Sequence, residues 1–382
     1  MALPVQQAPP PDTPEAREYN RVQRWLSVGD VALGFLFLVA LLAFHWTNRL
    51  RDWAVQVTGD HYALALLVYV LFLTLLTKLI GLPLDYYGFR LEHRYNLSNE
   101  KTGAWAWDQV KEWLVGLVLG VIVLEMIYFT IRQAPDLWWL AAWAVAIVLF
   151  VVFAQLAPVI LLPLFYKFVP LENEALKTRL VRLSERAGTR VRGVYEWKLS
   201  EKSKKANAAL TGLGATRRII LADTLLGNYN DDEIEAVLAH ELGHHVHKHI
   251  FKSIVMQAGI SLLGFWAANQ ALQYVIEGRH WFELQGLADF AGIPLLLLVS
   301  SVLSLVLLPV MNAYSRYNER QADRYCWANI ASVGPFVTAM NKLAGQNLAE
   351  RNPSRIVEIL FHSHPPVARR ISAAEAWAAK RA

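Results

Sequence analysis

The sequence has a single cysteine, Cys326, and comparatively few charged residues. One cysteine excludes an internal disulfide, and no activating partner near Cys326 is identifiable, so we expect it to pack in a core. Charged residues make up 18% of the 382 residues. No block of lysine and arginine alternates with stacking aromatic side chains, which argues against a nucleic-acid partner. The start of the chain lacks the short apolar core and small-residue cleavage site of a signal peptide.

What the sequence has instead is long apolar runs, in a chain that is 55% hydrophobic. Each run is close to the length of about 20 residues that a helix needs to cross the hydrocarbon core of a bilayer. The sequence therefore predicts a mostly α-helical, multi-pass membrane bundle of about six spans. The runs cover residues 28–46, 62–82, 113–129, 137–162, 251–275 and 287–311.

Basic residues predict how this bundle is oriented. Arg17, Arg21 and Arg24 precede the first run, and residues 163–250 and the C-terminal tail are rich in lysine and arginine. The alternate loops are short and carry fewer basic residues. By the positive-inside rule, both termini and residues 163–250 face the cytoplasm.

The runs divide the chain into five parts. Residues 1–25, with five prolines among the first fifteen, are expected to be a disordered lead. Residues 26–162 are expected to hold four spans, and residues 163–250 a cytoplasmic α+β segment with a small sheet. Two further spans occupy 251–311, and residues 312–382 are expected to form C-terminal cytoplasmic helices.

Residues 231–244 have the pattern of an amphipathic helix that binds a metal. Acidic residues crowd its start, and apolar residues recur at helical spacing. His240 and His244 are four residues apart and so lie on one helix face, with Glu241 beside them. This is the HExxH arrangement, which supplies two zinc ligands and a carboxylate that takes a proton from the attacking water. A bare HExxH also arises by chance in unrelated helices.

A catalytic zinc takes three protein ligands, so a third ligand is needed. A histidine six residues after His244 would complete one known arrangement, but that position is Ile250. The other arrangement takes a glutamate from a later helix, and Glu319 is the candidate. Asp323 lies one turn further and is spaced to hold a ligand imidazole by a hydrogen bond.

Between the fourth and fifth runs, residues 191–199, 207–211 and 217–223 have β-strand character. An extended edge strand beside a zinc helix is where a peptidase would hold a peptide as an added strand. Asn207 and Ala208 begin the candidate strand, although an edge strand that binds nothing remains an alternative. Towards the C-terminus, either His362 or His364 could donate a hydrogen bond to a developing oxyanion, and both could equally be surface histidines.

Polar residues also occur inside the predicted spans. They could line a water-filled chamber, or they could join helices by hydrogen bonds. The sequence alone leaves both alternatives open. The residues are Glu125, Gln155, Gln257, Asn269 and Gln270.

Five ordered blocks of sequence together resemble the integral-membrane CAAX prenyl protease family of zinc metallopeptidases. They are residues 163–172, 218–226, 237–244, 319–323 and 363–366, and the similarity covers nearly the whole chain from about residue 70. The resemblance implies a bundle enclosing a large chamber, with a zincin-like catalytic domain and one zinc ion near its cytoplasmic end.

Carried over by position, the resemblance implies a role for each matched residue. His240, His244 and Glu319 would be the zinc ligands and Glu241 the general base. His364 would be the transition-state hydrogen-bond donor, and Asn207 and Ala208 would bind the substrate. Residues flanking the site would be Asp323, His249 and Arg370, the last supporting His364.

The chain departs from the resembling eukaryotic proteins in two ways. It is expected to lack a counterpart of their further N-terminal span, which favours a bacterial homologue in the inner membrane over a protein of the ER membrane. Lys205 stands where they have a histidine, which affects the expected substrate preference.

Three hypotheses about function follow. The first is a zinc endopeptidase, expected to be a monomer, that acts on a peptide or protein substrate, prenylated or otherwise membrane-associated. The second is a quality-control endopeptidase for misfolded membrane proteins, which shares the zinc chemistry and differs in substrate. The third is a transporter or scaffold with a structural zinc, which the three-ligand set disfavours because structural zinc usually has four protein ligands.

Overall fold

The computed structural model describes residues 12–59, 61–212 and 217–381. Its N-terminal half is helical, and four of its segments are long and apolar enough to cross a membrane: α1, α3, α4 and the continuous run from α5 to α6. The helices are α1 (Pro14–Ala43), α2 (Trp46–Thr58), α3 (Tyr62–Arg94), α4 (Thr102–Gln133), α5 (Trp138–Leu156) and α6 (Leu162–Phe165).

A small four-stranded sheet and three helices follow, and the sheet has the strand order β1-β2-β4-β3. The parallel pair β2 and β4 lies at the centre, and β3 forms one edge through antiparallel pairing with β4. The elements are β1 (Phe168–Pro170), α7 (Glu174–Arg186), β2 (Val194–Trp197), β3 (Ala208–Thr211), β4 (Arg218–Ala222), α8 (Asp223–Leu226) and α9 (Asp231–Val246).

The rest of the described chain is helical again. α10 continues through a π-helical turn to Gly278, and α10 and α11 supply the two remaining spans. The predicted six-span, mostly α-helical bundle with a small sheet in its catalytic domain is therefore confirmed. The helices are α10 (His249–Leu272), α11 (Ile293–Asn329), α12 (Gly334–Gln346), α13 (Arg355–Phe361) and α14 (Val367–Ala379).

The spans leave much apolar surface uncovered by protein. Leu36, Leu263 and Val306 are each about two-thirds exposed, at 64%, 66% and 67%. A contiguous apolar surface of this kind would be strongly unfavourable in water, and hydrocarbon removes that cost. The spans fit a chain whose surroundings are lipid.

The predicted disordered lead is wrong for residues 14–25, which form the first turns of α1. Thr13 caps the helix, and Pro14 occupies its first turn, where the missing N–H of proline costs nothing. Tyr19 is buried in a cluster with Leu91 and Leu97. Tertiary packing therefore orders a segment whose composition alone predicted disorder, and residues 1–11 lie outside the described residues.

Helix α2 was not predicted, because its polar composition looked like a short loop. Its buried polar side chains bind the segment that joins α10 to α11, at the bundle end away from the sheet. Asn48 donates to the carbonyls of Phe282 and Glu283, at 3.0 Å each, and Arg51 forms a buried ion pair with Asp289. These contacts hold the α10–α11 segment in place.

The predicted boundary at residue 312 lies inside a single helix, because α11 runs without a break from Ile293 to Asn329. The helix crosses the bundle and continues into the catalytic domain, where Ala322 and Cys326 are buried against α9. The Cys326 thiol donates to the carbonyl of Ala236 at 3.2 Å, as expected for a packed cysteine. The side chains on this extension are thus positioned by a helix that is continuous with a predicted membrane span.

Candidate metal centre

Helix α9 is shaped by its own sequence. Asn230 caps it by accepting from the Glu233 N–H, and the Glu233 side chain accepts from the Asn230 N–H in return, at 2.9 Å each. Three acidic residues follow in the first turn, where they complement the helix dipole. Ile234 and Leu238 are buried in the core of the catalytic domain. The opposite face therefore points towards α11.

His240, His244 and Glu319 converge at this face. The Nε2 atom of His240 lies 3.2 Å from Oε2 of Glu319, and Nε2 of His244 lies 3.1 Å from Oε1. The two Nε2 atoms are 3.3 Å apart. The ligand-type atoms of all three residues lie within 4.8 Å of one another, which a single metal ion requires.

The donor set fits zinc. Two imidazole nitrogens and one carboxylate oxygen are the ligands of a catalytic zinc site, and they leave one coordination position for water. The Oε2 atom of Glu319 is buried and has no hydrogen-bond partner within the described chain. Burial lowers the pKa of His240, but the hydrogen bond to Asp323 and the adjacent Glu319 carboxylate outweigh this and raise it to about 9. The negative field that attracts a proton here would equally attract a divalent cation, which displaces that proton on binding.

The surroundings of His240 fix its orientation. Its Nδ1 atom lies 2.9 Å from Oδ1 of Asp323. Arg370 holds the same carboxylate through two hydrogen bonds, of 2.9 Å and 2.6 Å. Because a carboxylate only accepts, the Nδ1–H of His240 donates to Asp323, and the Nε2 lone pair is left for a metal.

A chain of hydrogen bonds fixes His244 in the same way. Gln321 donates from its amide to the Tyr317 hydroxyl at 2.9 Å, which turns its carbonyl oxygen towards Nε2 of His249, also at 2.9 Å. His249 must then donate from Nε2 and accept at Nδ1, where His244 Nδ1 lies 3.0 Å away. His244 therefore donates from Nδ1 and, like His240, offers Nε2 to the metal.

Glu241 and His364 lie beside this cluster. Burial raises the pKa of the Glu241 carboxyl, and the neighbouring His240 and His244 act in the opposite direction. His364 is exposed, and its Nε2 lies 3.4 Å from Oε1 of Glu319. His362 instead faces Glu350, at 3.9 Å. Of the two histidines that the sequence left open, the structure brings His364 to the cluster.

The predicted substrate strand lies beside this cluster. Ala208 is in β3, at the edge of the sheet, and Asn207 precedes it, its carbonyl accepting from the Ala222 N–H at 3.0 Å. β3 packs against α9. The geometry thus places an extended segment next to the helix that carries His240 and His244.

Sequence reasoning missed the relay of Gln321 and Tyr317, although a signal was available. Tyr317, Gln321 and the predicted ligand Glu319 lie within one and a half turns of the same helix. Polar residues so close to a predicted ligand are candidates for orienting the other ligands.

We expect Asp323→Asn to weaken metal binding by about 10–100-fold, the usual effect of removing a partner that orients a ligand histidine. The amide is uncharged and can present its NH2 group to His240 Nδ1, which favours the wrong tautomer. Competition with a fluorescent chelator measures the affinity. Asn329→Ala, at an exposed position further along α11, is the control, and equal affinities for Asp323→Asn and the parent protein would contradict the role given to Asp323.

The fold and the site together define a class of protein. A membrane-spanning helical bundle that carries an HExxH helix, with a glutamate from a later helix completing the ligand set, is the arrangement of a membrane metallopeptidase.

Comparisons with known proteins agree with this class. Residues 170–378 match the model of peptidase family M48, and residues 6–167 match that of the CAAX prenyl protease N-terminal region, described as five membrane helices. The chain belongs to peptidase family M48, and it is a metalloendopeptidase related to the CAAX prenyl proteases. Within residues 12–167 the structure has the four span-length segments and the shorter α2.

Two relatives and one solved structure show the extent of the similarity. The uncharacterized metalloprotease YhfN of Bacillus subtilis is 34% identical over 369 residues, which cover 96% of this chain and 86% of YhfN. The probable CAAX prenyl protease 1 of Schizosaccharomyces pombe is 27% identical over 346 residues, covering 89% and 72%. The crystal structure of S. mikatae Ste24p has a TM-score of 0.84 at 24% identity, covering 94% and 88%, and supports the fold.

Proposed function

We propose that the chain is a zinc-dependent endopeptidase of the membrane that hydrolyses CAAX-type prenylated peptides or other membrane-associated peptides. The observation that carries this proposal is the convergence of His240, His244 and Glu319, with both imidazoles oriented to offer Nε2 to one ion. We propose zinc because two imidazoles and one carboxylate match its catalytic ligand set.

Zinc bound at these residues would lower the pKa of a water molecule and polarise the peptide carbonyl. Glu241, adjacent in sequence to the ligand His240, would take the proton from the attacking water and later deliver it to the departing amine. His364 would donate a hydrogen bond to the oxyanion that develops on the peptide carbonyl. Arg370 would hold Asp323, and through it His240, in a fixed position.

The proposed substrate binds in two places. Its peptide part adds to β3 next to Asn207 and Ala208, because an unpaired strand edge gives backbone hydrogen bonds without requiring a particular side chain. An apolar part fits a cavity of about 790 Å³ among the spans. Of the polar residues noted inside the predicted spans, Gln257 lines this cavity, whereas Asn269 accepts a hydrogen bond from Trp138 and joins two helices.

We also propose an orientation. An even number of six spans returns both described ends of the chain to the same side of the bundle, and we propose from the basic loops that this side, with the sheet domain, faces the cytoplasm. A bacterial inner membrane is the proposed location, in keeping with the similarity to YhfN, and a monomer is the proposed functional unit.

Metal removal tests the proposal. The purified full-length protein in detergent is given a matched pair of peptides, one prenylated and one not, and products are identified by mass spectrometry. We expect cleavage that a chelator abolishes and that stoichiometric zinc restores. Chelator-resistant cleavage would overturn the zinc mechanism. Equal or better cleavage of the unprenylated peptide would instead favour the quality-control hypothesis.

A further inference from the structure

The hydrogen-bonding pattern of β3 shows which of its backbone groups face away from the sheet. Ala222 donates to the Asn207 carbonyl, so residue 207 bonds to the β4 side, and with the antiparallel register residues 209 and 211 do the same. Ile219, opposite Leu210, bonds instead to Gly193 on the far side of β4. The N–H and C=O groups of Ala208 and Leu210 therefore point to the free edge.

By the same alternation, the N–H and C=O groups of Ala206 also point to the free edge, but both already have hydrogen-bond partners. The side chain of Asn347, the residue after α12, accepts from the Ala206 N–H at 3.0 Å and donates to the Ala206 carbonyl at 3.3 Å. One amide side chain thus makes both of the bonds that a neighbouring strand would make. The edge is occupied at Ala206, while no hydrogen bond of the described chain reaches the outward groups of Ala208 and Leu210.

The residues that precede Ala206 also have their outward backbone groups paired. Gln346 donates to the Lys204 carbonyl at 2.7 Å. The preceding residues pair with the segment that follows α3, where Ser98 bridges to Ser203 and Lys204 donates to the Leu97 carbonyl at 2.9 Å. Among the described residues, the free edge of β3 has no hydrogen-bond partner at Ala208 and Leu210 and is covered on the Ala206 side.

We propose that Asn347, with Gln346 behind it, ends the substrate strand at Ala206 and thereby limits how far a substrate extends beyond the cleaved bond on its carboxyl side. This inference rests on the proposed function, in that a peptide adds to β3. Antiparallel addition is the more stable pairing. In that orientation the peptide runs in the direction opposite to β3. Because β3 runs away from Ala206, the carboxyl end of the peptide lies towards Ala206.

The consequence is a preference for cleavage near a free carboxyl terminus. A peptide with a short carboxyl-side tail fits between Ala208 and the side chain of Asn347. A longer tail must displace that side chain and leave the Ala206 backbone without its partners, or must leave the strand path. Asn347 is a specificity-determining residue in this account and touches none of the reacting atoms.

Peptides that share one cleaved sequence, and are lengthened one residue at a time at either the carboxyl or the amino end, test this inference. The full-length enzyme is used, and kcat/KM is measured for each peptide. We expect kcat/KM to fall with carboxyl extension and to change little with amino extension. For Asn347→Ala, we expect the ratio of kcat/KM for extended to unextended peptides to rise about tenfold, equivalent to about 1.4 kcal/mol.

Two further variants sharpen the test. Asn347→Asp keeps an acceptor for the Ala206 N–H and loses the donor, so we expect a smaller rise in the ratio. Asn329→Ala, at the exposed helix-end asparagine, is the control and should leave the ratio unchanged. Each ratio compares two peptides on one enzyme sample, so a partly unfolded variant does not distort it.

The outcomes separate this inference from the proposed function. Suppose that the parent enzyme cleaves the unextended peptide. If its kcat/KM then does not change with carboxyl extension, or falls with amino extension instead, the inference alone is overturned. An unchanged ratio in Asn347→Ala would do the same. Parent enzyme that cleaves no peptide of the series would overturn both.

Discussion

Replacing Glu241 by glutamine is expected to leave the metal bound and to lower kcat by about two to four orders of magnitude, the usual contribution of a general base. Glutamine has the shape of glutamate but cannot take a proton from the attacking water. His240, His244 and Glu319 are untouched by this change, so their metal affinity should stay close to that of the parent protein. KM should change little, because Glu241 acts on the water and is not proposed to bind the peptide.

Metal content by mass spectrometry and turnover of a reporter peptide measure the two quantities separately. Glu185→Gln, at an exposed position of α7, changes charge by the same amount and should retain full activity. Parent-level turnover in Glu241→Gln would exclude this residue as the base. Loss of metal together with activity would mean that Glu241 helps to hold the site, which contradicts the division of roles proposed above.

The parts of the site that could be predicted from the sequence are those set by local spacing. His240 and His244 meet because positions four apart share a helix face, and Asp323 follows Glu319 by one turn for the same reason. Assigning Glu319 needed one further step, the requirement for a third ligand. The length of the apolar runs predicted the six spans in the same local way.

Contacts between distant segments were beyond this reasoning. Asn347 and Ala206 are 141 residues apart, and nothing near either residue indicates that an amide side chain would pair with a strand edge. The order of residues 14–25 likewise depends on Tyr19 packing against Leu91 near the end of α3 and Leu97 after it. The continuity of α11 was missed because its composition changes from apolar to polar where it leaves the bundle, although its helical geometry does not change.

The close approach of α9 and α11 leads to the last prediction, which concerns Gly243. A Cβ atom placed on Gly243 would lie 2.8 Å from the Cα and 2.9 Å from the carbonyl oxygen of Ala322, and 3.1 Å from the Cβ of Tyr325. Two of these atoms are backbone and cannot rotate away. The HExxH helix can therefore approach α11 this closely only with glycine between its two histidines.

We expect Gly243→Ala to weaken metal binding and to lower peptidase activity more than tenfold. Relief of the clash requires α11 to move by roughly 1 Å to reach ordinary carbon contacts of about 3.5–4.0 Å. Glu319 lies one turn before Ala322 and moves with it, whereas metal–ligand distances tolerate only about 0.2 Å. The overpacking should also cost about 1–3 kcal/mol of stability. Chelator competition and thermal unfolding measure the two effects.

Gly259→Ala in α10 provides the matched control, because among the described residues no atom beyond its chain neighbours and its own helix backbone lies within 4 Å of the position that its Cβ would take. There the substitution should be neutral or stabilising, since alanine favours a helix over glycine by about 1 kcal/mol. A Gly243→Ala protein with the metal affinity of the parent would show that α11 can shift without carrying Glu319 away. The ligand set would then depend less on the rigid packing of these two helices than on the flexibility of the glutamate side chain.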